Sequence, residues 1–163
     1  MQIKMYENKY KNQVIALILY LQNFDNKVNL SLEEQPDMNN IQEYYLNNGG
    51  GFWIAVNEND DVIGTIGLLL ETSKCGILKK FFVNPQYRGK KTGISNNLYN
   101  HLVEHARMKG LCKIILDTPS VCYRAHGFYE KNGFSTITKN QLPIPYEYVD
   151  RNSILFMKTL KQD

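Results

Sequence analysis

Gln86-Tyr87-Arg88-Gly89-Lys90-Lys91-Thr92-Gly93 gathers two glycines and three cationic side chains just before a strongly periodic apolar stretch. Glycines let backbone N–H groups converge on a ligand without a Cβ in the way. A helix starting after Gly93 would add its unpaired first-turn N–H groups and the positive end of its dipole. That combination makes an anion site suited to a pyrophosphate, with Arg88, Lys90 and Lys91 supplying charge. The spacing fits neither a Walker A loop nor a Gly-x-Gly-x-x-Gly dinucleotide fingerprint. Taken alone, the loop fits a basic turn before a helix equally well.

Other chemistry-bearing side chains are scattered. Glu33, Glu34 and Asp37 form an acidic stretch whose plainer reading is a solvated turn, with Asp37 as a helix cap. Asp117 ends an apolar run. Tyr129 is one of 11 tyrosines, and on that ground alone is a core aromatic whose hydroxyl finds a local partner. His101 and His105 lie one helical turn apart without further ligands, and Cys75, Cys112 and Cys122 have no Cys-x-x-Cys spacing. No metal site and three reduced thiols are expected.

These residues need elements to position them. Ile3–Tyr6 reads as a first strand. Val14, Ile15, Leu17, Ile18 and Leu21 recur at helical spacing within a helix over about 8–24. Asp37 opens an expected second helix through Met38, Ile41, Tyr44 and Tyr45, stopped at Gly49-Gly50-Gly51. Phe52–Val56 and Val62–Leu70 are strands of a hairpin, with Asn57–Asp61 as the turn. Ile77–Val83 is a strand ended by Asn84-Pro85. Ile94, Leu98, Leu102 and Ala106 mark one buried helix face ending at Lys109-Gly110. A strand at Lys113–Leu116, a helix at Tyr123–Asn132, and strands at Phe134–Thr138 and Ile154–Met157 follow. Pro143 and Pro145 make their segment an extended connector. The order calls for a single α/β domain over residues 1–163, a mixed sheet with helices on both faces.

Two blocks in order carry a resemblance. Phe82-Val83-Asn84-Pro85 with the loop to Gly93 is similar to the strand, Gln/Arg-x-x-Gly-x-Gly/Ala loop and helix of the GCN5-related N-acetyltransferase (GNAT) family. Ala125-His126-Gly127-Phe128-Tyr129-Glu130-Lys131-Asn132-Gly133-Phe134 is similar to that family's Ala-x-x-x-Tyr-Glu-Lys-x-Gly-Phe segment. The match covers roughly residues 75–138. Lys91 stands where the family has Gly or Ala, and Cys122 stands where many relatives have Asn.

The resemblance implies a central, mostly antiparallel sheet of about seven strands. It implies acetyl-coenzyme A (acetyl-CoA) as co-substrate and an amine as acceptor. The backbone of Phe81, Phe82 and Val83 would pair with the pantetheine arm, and a Val83 N–H would polarise the thioester carbonyl. The backbone of Arg88, Gly89, Lys90, Lys91, Thr92 and Gly93, with Ile94, would hold the pyrophosphate. Tyr129 would be the general acid for the departing thiolate. The family's glutamate base is not matched, because the strand offers Lys79 and Lys80 instead. Glu33, Glu34, Trp53, Asp117 and Tyr146 are the expected acceptor-side residues. The alternative is a non-catalytic CoA-binding sensor or interaction module.

Bulk properties agree. With 19 basic and 16 acidic residues, the net charge of +3 is too weak to argue for nucleic acid. Hydrophobic residues at 43% suffice for one packed core. The run Val14–Leu21 is too short to cross a bilayer, and no signal-peptide pattern opens the chain. The expectation is a cytoplasmic monomer or homodimer without membrane or nucleic-acid partners.

Overall fold

The structure is a computed structural model, and it describes residues 1–161 apart from Ser73 and Arg151. Seven strands form one sheet: β1 (Gln2–Met5), β2 (Gly51–Val56), β3 (Val62–Leu70), β4 (Cys75–Val83), β5 (Lys113–Pro119), β6 (Ser135–Ile137) and β7 (Ser153–Thr159). Their spatial order is β1-β2-β3-β4-β5-β7-β6. Every pairing is antiparallel except β4 with β5.

Three α-helices cover the sheet: α1 (Lys11–Tyr20), α2 (Ile94–Met108) and α3 (Tyr123–Lys131). Alternation along β2 explains the two cores. Phe52, Ile54 and Val56 point to one face and pack with Tyr10, Val14 and Ile18 from the α1 region. Trp53 and Ala55 point to the other and pack with Leu98, Leu102 and Ala106 of α2. Strands buried on both faces lose polar alternation, which is why β2 reads as a continuous apolar run.

The first helix nearly matches its expected span, since α1 continues into a π-helical turn at Leu21–Asp25. The second expected helix does not form. A 3-10 turn at Pro36–Asn39 and a π-helical turn at Gln42–Leu46 replace it. Asp37 is not a cap: Gln35 precedes that turn, and the Asp37 carboxylate instead accepts the Tyr45 hydroxyl at 2.5 Å. A tertiary hydrogen bond has displaced the local one.

The chain after that turn is tightly threaded. A Cβ at Gly50 would lie 2.1 Å from the Leu68 carbonyl oxygen and 3.0 Å from that of Tyr45. Backbone cannot yield as a flexible side chain does. Gly50→Ala is therefore expected to lower unfolding stability by about 3 kcal/mol, read from a shifted urea midpoint at unchanged slope.

One feature of the sheet matters most for the site. β4 and β5 pair only at Cys75–Lys113, Gly76–Ile114 and Ile77–Ile115. Beyond them β5 stays with β7 as far as Pro119, and β4 stays with β3 as far as Val83. The sheet thus splits. A bulge falls in the freed part of β4: Lys79 and Phe82 pair with Gly67 and Thr65, leaving Lys80 and Phe81 opposite Ile66 alone. Lys80 takes a left-handed φ of 55°, and the Thr65 hydroxyl donates to its carbonyl at 2.7 Å. The extra residue bends β4 away from β5.

Candidate active site

The split opens into a cavity of about 1100 Å³, walled by Leu78–Val83 of β4 and by Asp117, Thr118 and Pro119 of β5. At one end lies the loop before α2. Asn84 accepts the Gln86 N–H at 3.0 Å and fixes the turn that follows β4. The Thr92 hydroxyl is shared between the carbonyls of Tyr87 (2.7 Å) and Gly89 (3.0 Å), closing the loop on itself. Gly93 caps α2 with a left-handed φ of 64°, a conformation glycine adopts without strain. The first helical hydrogen bond runs from Asn97 N–H to the Gly93 carbonyl, so the N–H groups of Ile94, Ser95 and Asn96 have no partner within the helix. Gly89, Lys90, Gly93, Ser95 and Asn96 line the cavity. The arrangement can hold a polyanion.

Several expectations change here. Lys91 is exposed and Thr92 is a clamp; neither lines the cavity. Ile94 buries its side chain in the core, leaving only its backbone for a ligand. Arg88 lines the cavity but is engaged: Nε donates to the Val83 carbonyl and Nη2 to Asp25, both at 2.9 Å.

Tyr129 of α3 stands in the opposite wall, 5% exposed, its ring among Phe81, Phe134 and Phe156. Its hydroxyl has no hydrogen-bond partner among the described residues. Burial pushes the phenol well above its ordinary range, and the charge of Asp117 pushes in the same direction.

Asp117 accepts the Tyr146 hydroxyl in a short hydrogen bond. Burial raises its carboxyl, against the lowering effects of that bond and of Lys79 and Lys80. Tyr146 itself lies in a smaller pocket with Leu69, Ile77 and Lys79, so it reaches the main cavity only through Asp117. Glu34 lines the main cavity and accepts from the Ser31 N–H at 3.2 Å, whereas Glu33 is exposed and does not line it. Trp53 must be withdrawn as an acceptor contact. It is 4% exposed under α2, with His105 against its ring, because its β2 position faces the core. Phe52 is buried on the other face.

The histidines serve backbone: His126 Nε2 meets the Pro119 carbonyl at 2.9 Å, and His105 Nε2 meets that of Gly49 at 3.0 Å. No group of potential metal ligands occurs among the described residues. No helix among them is long and apolar enough to cross a membrane.

Lys80, Ser95, Asn96 and Asp25 also line the cavity, and sequence reasoning did not place them there. Ser95 and Asn96 had a signal, since they begin the helix after a glycine loop. Lys80 had none, because a bulge depends on its partner strand.

A split sheet, a glycine loop at a helix start and an unpartnered phenol meet in one cavity with room for a long, anionic ligand. Comparison with known proteins agrees. Residues 12–134 match the acetyltransferase (GNAT) family, and the chain belongs to that family. The crystal structure of an acetyltransferase from Streptococcus agalactiae superposes with a TM-score of 0.93 at 40% identity, covering 98% of both chains. Human N-acetyltransferase 8B is 28% identical over 127 residues, 76% of this chain and 56% of that protein. The chain thus spans about half the length of that curated relative. N-acetylglutamate synthase from Neisseria gonorrhoeae, solved with coenzyme A and N-acetyl-glutamate, shares the fold with a TM-score of 0.72 at 18% identity, over 99% of this chain and 35% of that one. The protein is therefore an acyltransferase by family, and acetyl-CoA is that family's co-substrate.

Proposed function

We propose that the protein transfers the acetyl group of acetyl-CoA to a primary amine of a small molecule or peptide by direct attack. The observation that carries this reading is the shared cavity. The start of α2 and Tyr129 both line the cavity where β4 parts from β5. A pyrophosphate on the N–H groups of Gly93–Asn96 sends the pantetheine arm along the unpaired edge of β4. The thioester then lies between the two strands, within reach of Tyr129.

The neutral amine attacks the thioester carbonyl from the side of Asp37, Glu34 and Asp117. As the C–S bond breaks, the Tyr129 phenol donates to sulfur. These carboxylates favour a cationic acceptor before it loses its proton.

Free thiol release from acetyl-CoA, measured against a panel of primary amines, tests the reading. Acetylated amine in step with thiol is the expected result. Tight coenzyme A binding without transfer to any amine would establish the sensor alternative instead.

A further inference from the structure

Lys80 lines the cavity, and the transfer reaction has not used its placement. Its backbone is held in an uncommon left-handed conformation by the Thr65 hydroxyl on its carbonyl. A lysine has no intrinsic preference for φ of 55°, so the surrounding structure over-determines it. Its side chain is only 10% exposed. Nζ contacts Gln35 Oε1 and lies 3.9 Å from Asp37 Oδ2. Gln35 is itself fixed by a reciprocal amide pair with Gln22, at 2.8 and 2.9 Å. The amine is thus positioned, and it lines the same cavity as Tyr129 and Asp117.

We propose that Lys80, in its neutral form, accepts the proton that the acceptor amine sheds as it attacks the thioester. The proposal rests on the acetyl-transfer reading. The amine lone pair forms the C–N bond, and the electron pair of the C–S bond leaves on sulfur. One proton passes from the amine nitrogen to Lys80 Nζ, directly or through one water, and one passes from Tyr129 to sulfur. The Lys80 proton then returns to the Tyr129 phenolate through solvent, leaving amide and thiol with both residues restored. No carboxylate on β4 competes for the role, since β4 carries Lys79 and Lys80 as its charged residues.

The electrostatics fit. Burial, helped by Lys79 on the same strand, outweighs the raising effects of Asp37 from the 3-10 turn and Asp117 from β5, and Lys80 is lowered to about 8. Those two carboxylates are in turn held by the hydroxyls of Tyr45 and Tyr146. A lysine above its ordinary 10.4 would be a spent base at neutral pH, whereas a buried one retains a neutral fraction.

The pH profile of kcat/KM tests this with an amine that turns over. The acceptor is chosen as an alkylamine, whose own limb lies near 10 and well separated, because an α-amine titrating near 8 would overlap. The unmodified protein should show a rising limb at about 8. Lys80→Met should abolish that limb and cut kcat at pH 8 about 100-fold, with coenzyme A affinity retained within about 3-fold as the check on folding. Asp37→Asn removes a group that holds the proton on Lys80, so the limb should move to lower pH.

A limb surviving in Lys80→Met, or unmoved by Asp37→Asn, overturns the proposal and leaves acetyl transfer standing. A ¹⁵N titration of the Lys80 ammonium in the unmodified protein is independent of any variant: a midpoint near 10 also overturns it. No transfer by the unmodified protein to any amine overturns the function and this proposal together.

Discussion

Tyr129→Phe is expected to lower kcat about 100-fold while leaving the coenzyme A dissociation constant within about 3-fold. The geometry explains why the two should separate. The ring packs among Phe81, Phe134 and Phe156, and phenylalanine keeps those contacts. The hydroxyl has no described protein partner, so removing it strands no donor or acceptor, and stability should change by less than about 0.5 kcal/mol. Only the bond to the departing sulfur is lost. The size of the effect also follows from the phenol's environment. Burial raises it above its ordinary value near 10, whereas a thiol titrates near 8.5, so complete proton transfer is uphill by at least about 2 kcal/mol. Tyr129 is therefore a hydrogen-bond donor that completes its transfer late, which argues for 100-fold rather than 10⁴-fold. The raised value has a second consequence with a definite sign: the phenol keeps its proton across the physiological range, so no loss of kcat from its ionisation should appear below about pH 10. Stopped-time kinetics for the two proteins across pH check both statements.

Ser95→Glu should weaken coenzyme A binding about 100-fold or more without destabilising the fold. Ser95 lies in the first turn of α2 and lines the cavity. A carboxylate there satisfies the unpaired N–H groups and complements the helix dipole, adding about 0.5 kcal/mol of stability. The same charge occupies the place of a pyrophosphate and repels it, and a like-charge contact at about 4 Å costs up to about 4 kcal/mol near a protein surface. Opposite signs for stability and affinity separate this outcome from general damage. Thermal unfolding with titration calorimetry measures both. Unchanged affinity would remove the phosphate assignment of the helix start.

The sheet was legible because its signals are local. Apolar runs placed β2 and β3, the turn at Asn57–Asp61 joined them, and the four-residue repeat from Ile94 to Ala106 marked the buried face of α2. The loop ahead of α2 was legible for the same reason, and the second motif block put Tyr129 on a helix, where α3 has it. What failed depended on partners distant in sequence. Asp37 has the composition of a helix cap, but Tyr45 and Lys80 claim its carboxylate. Trp53 and Tyr146 have the chemistry of acceptor contacts, yet strand parity buries one and a side pocket takes the ring of the other. Within the loop, net charge was a poor guide to contact. Lys91 faces solvent, and Arg88 ties β4 to the end of the π-helical turn through Asp25. Lys80 shows the same limit most sharply. Its bulge exists only because β3 pairs out of step with β4, a relation between two strands that neither strand encodes alone.

A crystal structure of the protein with coenzyme A tests the central claim most directly. Pyrophosphate is expected on the N–H groups at the start of α2, the pantetheine arm between β4 and β5, and the sulfur within about 4 Å of the Tyr129 hydroxyl. Coenzyme A bound elsewhere on the surface, or with its sulfur turned away from Tyr129 and toward solvent, would contradict it.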